Sequence, residues 1–402
     1  MSNGNKRRCS MLTALLNRQV FTTIHYSREE LRGLRKKGAS FICPHCSSPL
    51  TMKIGSRNVP HFAHISNADC ELVRGETPQH LLSKQLLYDR VSSLYTSVSL
   101  EHSIKGLKQV ADIYVKTDTA EIGIEIQCSS IPISEIVRRT YGYHRQGITP
   151  FWILTQPLKS KKLLSLTTFQ QAFIRYSPHL DYFILHFLPD RSIFQLYPHL
   201  LPVSATAFMS AAPIIIPVSE FTLPPSIPNV SVLHPSFLSH WYDFRTKWIY
   251  NKIHYNKART DVFLREVYGE GDTFLYLPLY IGIPVIPHGI HIRNHEVEWQ
   301  YYVWKDCLKG NAISEESVCR VLKRRITNGH IELRSLPLLK IDEEIKRIAS
   351  GYLRLLEELQ VLRKINDMYR LTEPWSCPDH FSAFEQHKHD FFPRWKHILK
   401  KL

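Results

Sequence analysis

Within the stretch KQVADIYVKTDTAEIGIEIQCS, Lys108 to Ser129, Asp112, Glu125 and Gln127 stand at a spacing suited to metal-ion chemistry. Apolar and polar residues alternate on both sides of Asp118-Thr119, which predicts an antiparallel hairpin with a two-residue turn. Such a turn fixes the register: Thr117 faces Ala120, Val115 meets Ile122, Ile113 meets Ile124 and Asp112 meets Glu125. Facing carboxylates, with side chains roughly 5 Å apart, repel unless a cation lies between them. A hard divalent ion, Mg²⁺ or Mn²⁺, resolves that repulsion. A register shifted by one or two residues, or exposure of both carboxylates, would remove the need for it. Gln127 follows on the face of Glu125.

Flanking elements have to position these groups. Thr77 and Pro78 open a helix, TPQHLLSKQLLYDRVSSLY, as N-cap and first-turn residue. Leu82, Leu86 and Tyr88 are expected to bury one side. His80 and Lys84, four residues apart, share another side, either as a solvated stripe or facing the carboxylates and a phosphate. Glu76 sits just before the helix. After the hairpin, a second helix over Ser134–Gln146 bears Arg138, Arg139, Tyr143, His144 and Arg145, and the strand Phe151–Thr155 follows. Helix, strands, helix and strand in that order describe an α/β unit in which the acidic hairpin edges a cleft and basic side chains lie beside it.

Upstream, Leu12–Thr23 reads as a hairpin turned at Asn17-Arg18. Ser27 and Glu30 form a capping box for a helix that Gly38 ends. That helix carries Arg28, Arg32, Arg35, Lys36 and Lys37, a solvated face or a DNA contact. Next, Cys43 and Cys46 form a C-x₂-C knuckle, with His61, His64 and Cys70 at a zinc-ribbon distance. A tetrahedral Zn²⁺ needs one ligand fewer than these supply. Cys43, Cys46, His64 and Cys70 are the expected set, with His61 the alternative. A ribbon this small is expected to have almost no core, which makes the ion structural.

At 402 residues and 44% hydrophobic content the chain can hold two or three cored domains. A net charge of +15 and a pI near 9.4 point to a polyanionic partner. Eight cysteines are too few and too scattered for a disulfide scaffold, so a reducing compartment is expected. Neither a signal peptide nor a membrane-length apolar run is evident, and cytoplasmic location is the expectation.

Beyond Thr155, LLSLTTFQQAFIRY suggests a helix, and YFILHFLPDRSIFQLYPHL a hairpin turned at Pro189-Asp190. Prolines between Pro213 and Pro235 mark a linker. Further on, Phe237, Trp241, Phe244 and Trp248 recur at helical spacing as a core stripe. Thr273–Pro287 is expected to form buried turns, Ile313–Gly329 a recognition-type helix with Lys323, Arg324 and Arg325, and Ile341–Arg370 one long amphipathic helix.

A helix with His80, then Asp112, then Glu125-x-Gln127, then a helix with Arg139 and Tyr143 resembles the PD-(D/E)xK nuclease core. With CPHC, HFAH, the ETPQH run from Glu76 and the phrase IEIQCS, the chain resembles the CoiA family of bacterial competence proteins, best over Phe41–Thr155. On that resemblance, 1–75 is a zinc-ribbon-like module with its hairpin and basic helix. Residues 76–212 are an α/β restriction-endonuclease-like domain, 213–235 the linker and 236–402 a mainly helical domain. The resemblance implies that Asp112, Glu125 and His80 hold Mg²⁺ or Mn²⁺, and that Arg138, Arg139 and Tyr143 contact substrate. Gln127 stands where most relatives of the fold carry Lys; Lys84 is expected to supply that charge from its helix. The implied activity is hydrolysis of incoming or recombining DNA during natural transformation. A rival reading, favoured by Gln127, is a non-catalytic adaptor that holds single-stranded or branched DNA and supports RecA-dependent recombination. A third is a zinc-ribbon protein acting on RNA.

Overall fold

A computed structural model describes residues 10–65, 70, 76–226, 237–256, 259–310, 313–339 and 343–399. Two compact units divide the chain: Met1–Pro157 with Ile184–Leu196 and Pro213–Pro228, and Leu158–Phe183 with Tyr197–Ala212 and Asn229–Leu402. The interval 76–212 therefore contributes to both. Of the expected linker, residues 227–235 lie outside the described residues.

The first unit opens with β1 (Ser10–Met11), β2 (Thr13–Leu16) and β3 (Gln19–Thr22). Asn17 and Arg18 both adopt left-handed backbone, φ 51° and 65°, as a two-residue turn between β2 and β3 requires. α1 (Arg28–Lys36) starts at the Ser27/Glu30 capping box and ends at Gly38, φ 74°. β4 (Phe41–Ile42), β5 (Pro49–Lys53) and β6 (His61–His64) complete a six-stranded sheet in the order β1-β6-β5-β4-β2-β3. The CPHC segment and the N-terminal hairpin thus share one sheet. They also share a core of Met11, Phe21, Leu31, Phe41, Met52 and Phe62, which corrects the expectation of a nearly coreless ribbon.

α2 (Pro78–Ser92) begins at Thr77, whose hydroxyl accepts the His80 amide at 3.2 Å. Its buried face is Leu81, Lys84, Leu87 and Val91 rather than Leu82 and Leu86. A lysine on an apolar face has to find carboxylates there, because an unpaired buried charge is prohibitive. β7 (Ser97–Ser103), β8 (Val110–Lys116) and β9 (Glu121–Gln127) form an antiparallel meander. The β8/β9 register is the expected one over Ile113–Lys116, with Ile113 opposite Ile124, Val115 opposite Ile122 and the Thr117 amide donating to the Ala120 carbonyl at 2.8 Å; the ladder stops short of the expected Asp112–Glu125 pair. α3 (Ile133–Arg145) then crosses over, and β10 (Ile148–Leu154) returns parallel to β9. Beyond β10 the sheet continues through the strands Asp181–Leu188, Ile193–Tyr197 and Ile214–Pro217.

The second unit is largely helical around Trp241, Ile283, Trp299, Trp304, Tyr352 and Trp395. The segment expected as a helix over 163–176 is helical only at Thr168–Gln171, between the strands Leu164–Ser165 and Ile174–Ser177. Its apolar run lacks a period that separates helix from strand. The expected long helix over 341–370 is Glu344–Glu358. Gln360, φ 60°, stops it, and Leu362–Ile365 pairs with Met368–Leu371 around Asn366, φ 55°. On the helix Glu315–Thr327, Arg325 is buried and bonds Glu266 and Asp306, so that cation serves packing and is not offered to DNA. No helix among the described residues is long and apolar enough to cross a membrane.

Candidate metal-binding acidic site

His80 and Lys84, one helical turn apart, project from one side of α2, and Glu76, which precedes the N-cap Thr77, brings its carboxylate to both. The His80 imidazole bridges two carboxylates: Nε2 lies 3.2 Å from Asp112 Oδ2 and Nδ1 lies 3.5 Å from Glu76 Oε2. Asp112, on β8, also accepts the Ile126 amide of β9 at 2.8 Å. Lys84 Nζ lies 2.5 Å from Glu76 Oε1, 2.7 Å from Glu101 Oε1 and 3.7 Å from Asp112 Oδ1. Its side chain is only 1% exposed. Lys84 therefore faces three carboxylates within the protein, and the expectation that it reaches outward to a phosphate is corrected.

Glu101, on β7, has left-handed backbone, φ 50°, which is uncommon for a residue with a Cβ. Its carboxylate accepts the Leu12 amide at 2.8 Å, the Thr13 amide at 3.0 Å and the Thr13 hydroxyl at 2.5 Å. Lys84 is thereby tied, through Glu101, to the N-terminal sheet.

Glu125, on β9, accepts hydrogen bonds from the Arg139 guanidinium and the Tyr143 hydroxyl, both on α3. Gly123 makes this possible: a Cβ there would stand 2.6 Å from Tyr143 Cε1. Tyr143 is fully buried, which corrects its expected role in substrate contact; it and Arg139 orient Glu125. Arg138 is on the surface, paired with Glu135 at 2.7 Å. The Gln127 side chain donates to the Ser129 carbonyl.

Burial and charge act against each other here. Burial pushes the Glu125 carboxyl up to about 7, with Arg139 pulling down and Asp112 pushing further up. Burial likewise raises Glu76 to about 7, opposed by Lys84 and His80 and reinforced by Glu101 and Asp112. Asp112 resists burial and stays below the ordinary carboxylate range because His80, Lys84 and the Ile126 amide favour its charge. His80, also opposed by burial, is held above its usual value by Asp112 and Glu76. Four buried or half-buried carboxylates thus face two permanent cations, Lys84 and Arg139.

Mg²⁺ or Mn²⁺ fits this deficit. Ligand atoms of Glu76, His80 and Asp112 all lie within 4.8 Å of one another, and buried Oε2 of Glu76 accepts no hydrogen bond of sound geometry among the described residues. Glu125 lies outside that group. Glu76 and Glu101 are the members that sequence reasoning missed. For Glu76 the spacing to His80 and Lys84 was a usable signal; for Glu101 there was none.

Cys43, Cys46, His64 and Cys70 converge as expected, with ligand atoms within 4.8 Å of one another. Cys46 Sγ and His64 Nε2 are 3.2 Å apart. Burial opposes ionisation of Cys46, but Ser48, His64 and Cys43 bring it down to about 6, giving the thiolate that Zn²⁺ prefers. His61 is excluded by alternation: three positions from His64 in β6 it faces the other way, its Nδ1 2.9 Å from the Val59 carbonyl.

Comparison with known proteins adds three family matches: Competence protein CoiA, N-terminal domain over residues 23–73; nuclease-like domain over 76–225; C-terminal domain over 237–384. The chain is also 27% identical over 356 residues to Competence protein CoiA of Bacillus subtilis (strain 168), covering 84% of this chain and 91% of that protein. No solved structure matches it.

Proposed function

Because the chain belongs to the CoiA family of competence proteins, we propose that it is a metal-dependent DNA nuclease with a PD-(D/E)xK-like core, acting on incoming or recombining DNA. The observation that carries this is the convergence of Glu76, His80 and Asp112 near Glu125, where α2 meets the inner strands β8 and β9 of a unit built as helix, three strands, helix, strand. Glu76, His80 and Asp112 would hold the ion. When bound, Mg²⁺ or Mn²⁺ offsets the charge developing on a scissile phosphate and makes water easier to deprotonate. Lys84 keeps Glu76 and Asp112 fixed, while Arg139 and Tyr143 keep Glu125 fixed. Gln127 would contribute a neutral hydrogen bond to the phosphate by leaving the Ser129 carbonyl. A net charge of +15 draws the polyanion in. Zn²⁺ at the cysteine site would hold the N-terminal sheet.

The test is incubation with end-labelled single-stranded, duplex and branched DNA in Mn²⁺ or Mg²⁺. Cleavage lost in Asp112→Asn and Glu76→Gln supports the nuclease. Tight binding without cleavage of any substrate supports the second reading, a DNA-holding adaptor for RecA-dependent recombination, which Gln127's engagement with Ser129 favours.

A further inference from the structure

The second unit contains a cluster that neither the family resemblance nor the acidic site accounts for. His288 caps and His291 ends the 3₁₀ turn Gly289–His291, closed by the His291 amide on the His288 carbonyl at 3.1 Å. Three residues per turn bring positions i and i+3 to the same side, so both imidazoles face one way. Glu344, the first residue of the helix Glu344–Glu358, meets them: its Oε2 lies 3.1 Å from His288 Nδ1 and 3.6 Å from His291 Nε2. The Tyr182 hydroxyl comes from the strand Asp181–Leu188 and stands 2.5 Å from His288 Nδ1 and 3.2 Å from His291 Nε2.

We propose that His288, His291 and Glu344, with the Tyr182 hydroxyl as fourth donor, form a binding site for a divalent transition ion of the Zn²⁺ class. Bonds of roughly 2.0–2.1 Å to a tetrahedral zinc ion place neighbouring donor atoms about 3.3 Å apart. The four separations, 2.5, 3.1, 3.2 and 3.6 Å, scatter around that edge length. Glu344 is only 7% exposed, and its buried Oε2 accepts no hydrogen bond of sound geometry among the described residues, as an oxygen aimed at an ion would be. Arg334, a buried cation near His291, directs its guanidinium to the Ile290, Ile292 and Ser204 carbonyls. A cavity of about 710 Å³, lined by His291, Arg334, Glu343 and Glu344, gives an ion its path. Two imidazoles with a carboxylate suit Zn²⁺ better than Mg²⁺, which takes oxygen donors. The ion would fasten three segments far apart in sequence: the strand at Tyr182, the turn at His288 and the helix start at Glu344.

Cobalt titration of the metal-stripped full chain tests this. Co²⁺ bound by the cysteine site gives a thiolate charge-transfer band. The proposal adds a second saturating visible signal of tetrahedral intensity with no thiolate band. Glu344→Gln and His291→Gln each remove it and lower the bound zinc by one ion per chain, with circular dichroism unchanged. Cys46→Ser and Asp112→Asn both retain it. A wild-type spectrum in which every tetrahedral signal tracks the thiolate band overturns the site, whether or not the variants fold. Unchanged zinc content in folded Glu344→Gln does the same.

Discussion

Replacing Lys84 by Met isolates one charge. The methionine keeps the apolar stem that packs on the buried face of α2 with Leu81, Leu87 and Val91, and removes the ammonium held between Glu76, Glu101 and Asp112. Lys84 is fully buried, so solvent screens little of this loss. Breaking a buried ion pair from one side costs about 3–5 kcal/mol. For a cooperative unit of this size that is a fall in Tm of about 6–20 °C. Urea unfolding and thermal melts at pH 8, without divalent ions, measure it. Because the stranded carboxylates can take up protons, the loss should shrink at pH 5. Millimolar Mn²⁺ should recover part of it at pH 8 by replacing the lost cation. A loss under about 1 kcal/mol, the value of an exposed pair, would refute the buried network. So would a loss equal at both pH values.

The remaining outcomes concern the same sheet. In metal-free protein, Glu76 and Glu125 have folded values raised from 4.5 to about 7, so their contribution is full below 4.5 and lost as pH rises through 7. His80, also raised, acts in the same sense, whereas Asp112 and Glu101, both lowered, matter only in acid. Stability should therefore fall between pH 5 and 8, and saturating Mn²⁺ should flatten or reverse that slope in melts. Gly123→Ala drives a Cβ against Tyr143 and should cost about 1–3 kcal/mol in urea unfolding. On the proposed function, DNA cleavage by this variant should drop more than its stability explains, since Tyr143 no longer holds Glu125. Gln127→Lys places a cation beside Glu125 and should raise the single-turnover cleavage rate about tenfold or more; an unchanged rate places position 127 away from the reacting phosphate.

Much of the site was legible where local rules decide. Alternation and a two-residue turn set the β8/β9 register, and the short spacing of His61 and His64 leaves room for one of the two beside the C-x₂-C knuckle. Thr77 and Pro78 announce α2, and helical spacing carries His80 to Asp112. What was not legible comes from distant segments. Glu101 enters through a left-handed residue and is completed by the Leu12 and Thr13 amides of another sheet. Tyr143 reads, on the family resemblance, as a substrate contact until the space above Gly123 is seen to receive it. Over 341–370 the apolar pattern continues past Glu358, while Gln360 and the Asn366-Asp367 turn set the chain's path. His288 and His291 have short spacing, but their carboxylate and phenol partners arrive from segments that no periodicity connects.

Anomalous diffraction from a Mn²⁺-soaked crystal tests the central claim most directly. The predicted result is a peak coordinated by Glu76, His80 and Asp112, absent in Asp112→Asn crystals. A chain that takes up no Mn²⁺ there, with Lys84 still seated among Glu76, Glu101 and Asp112, would contradict it.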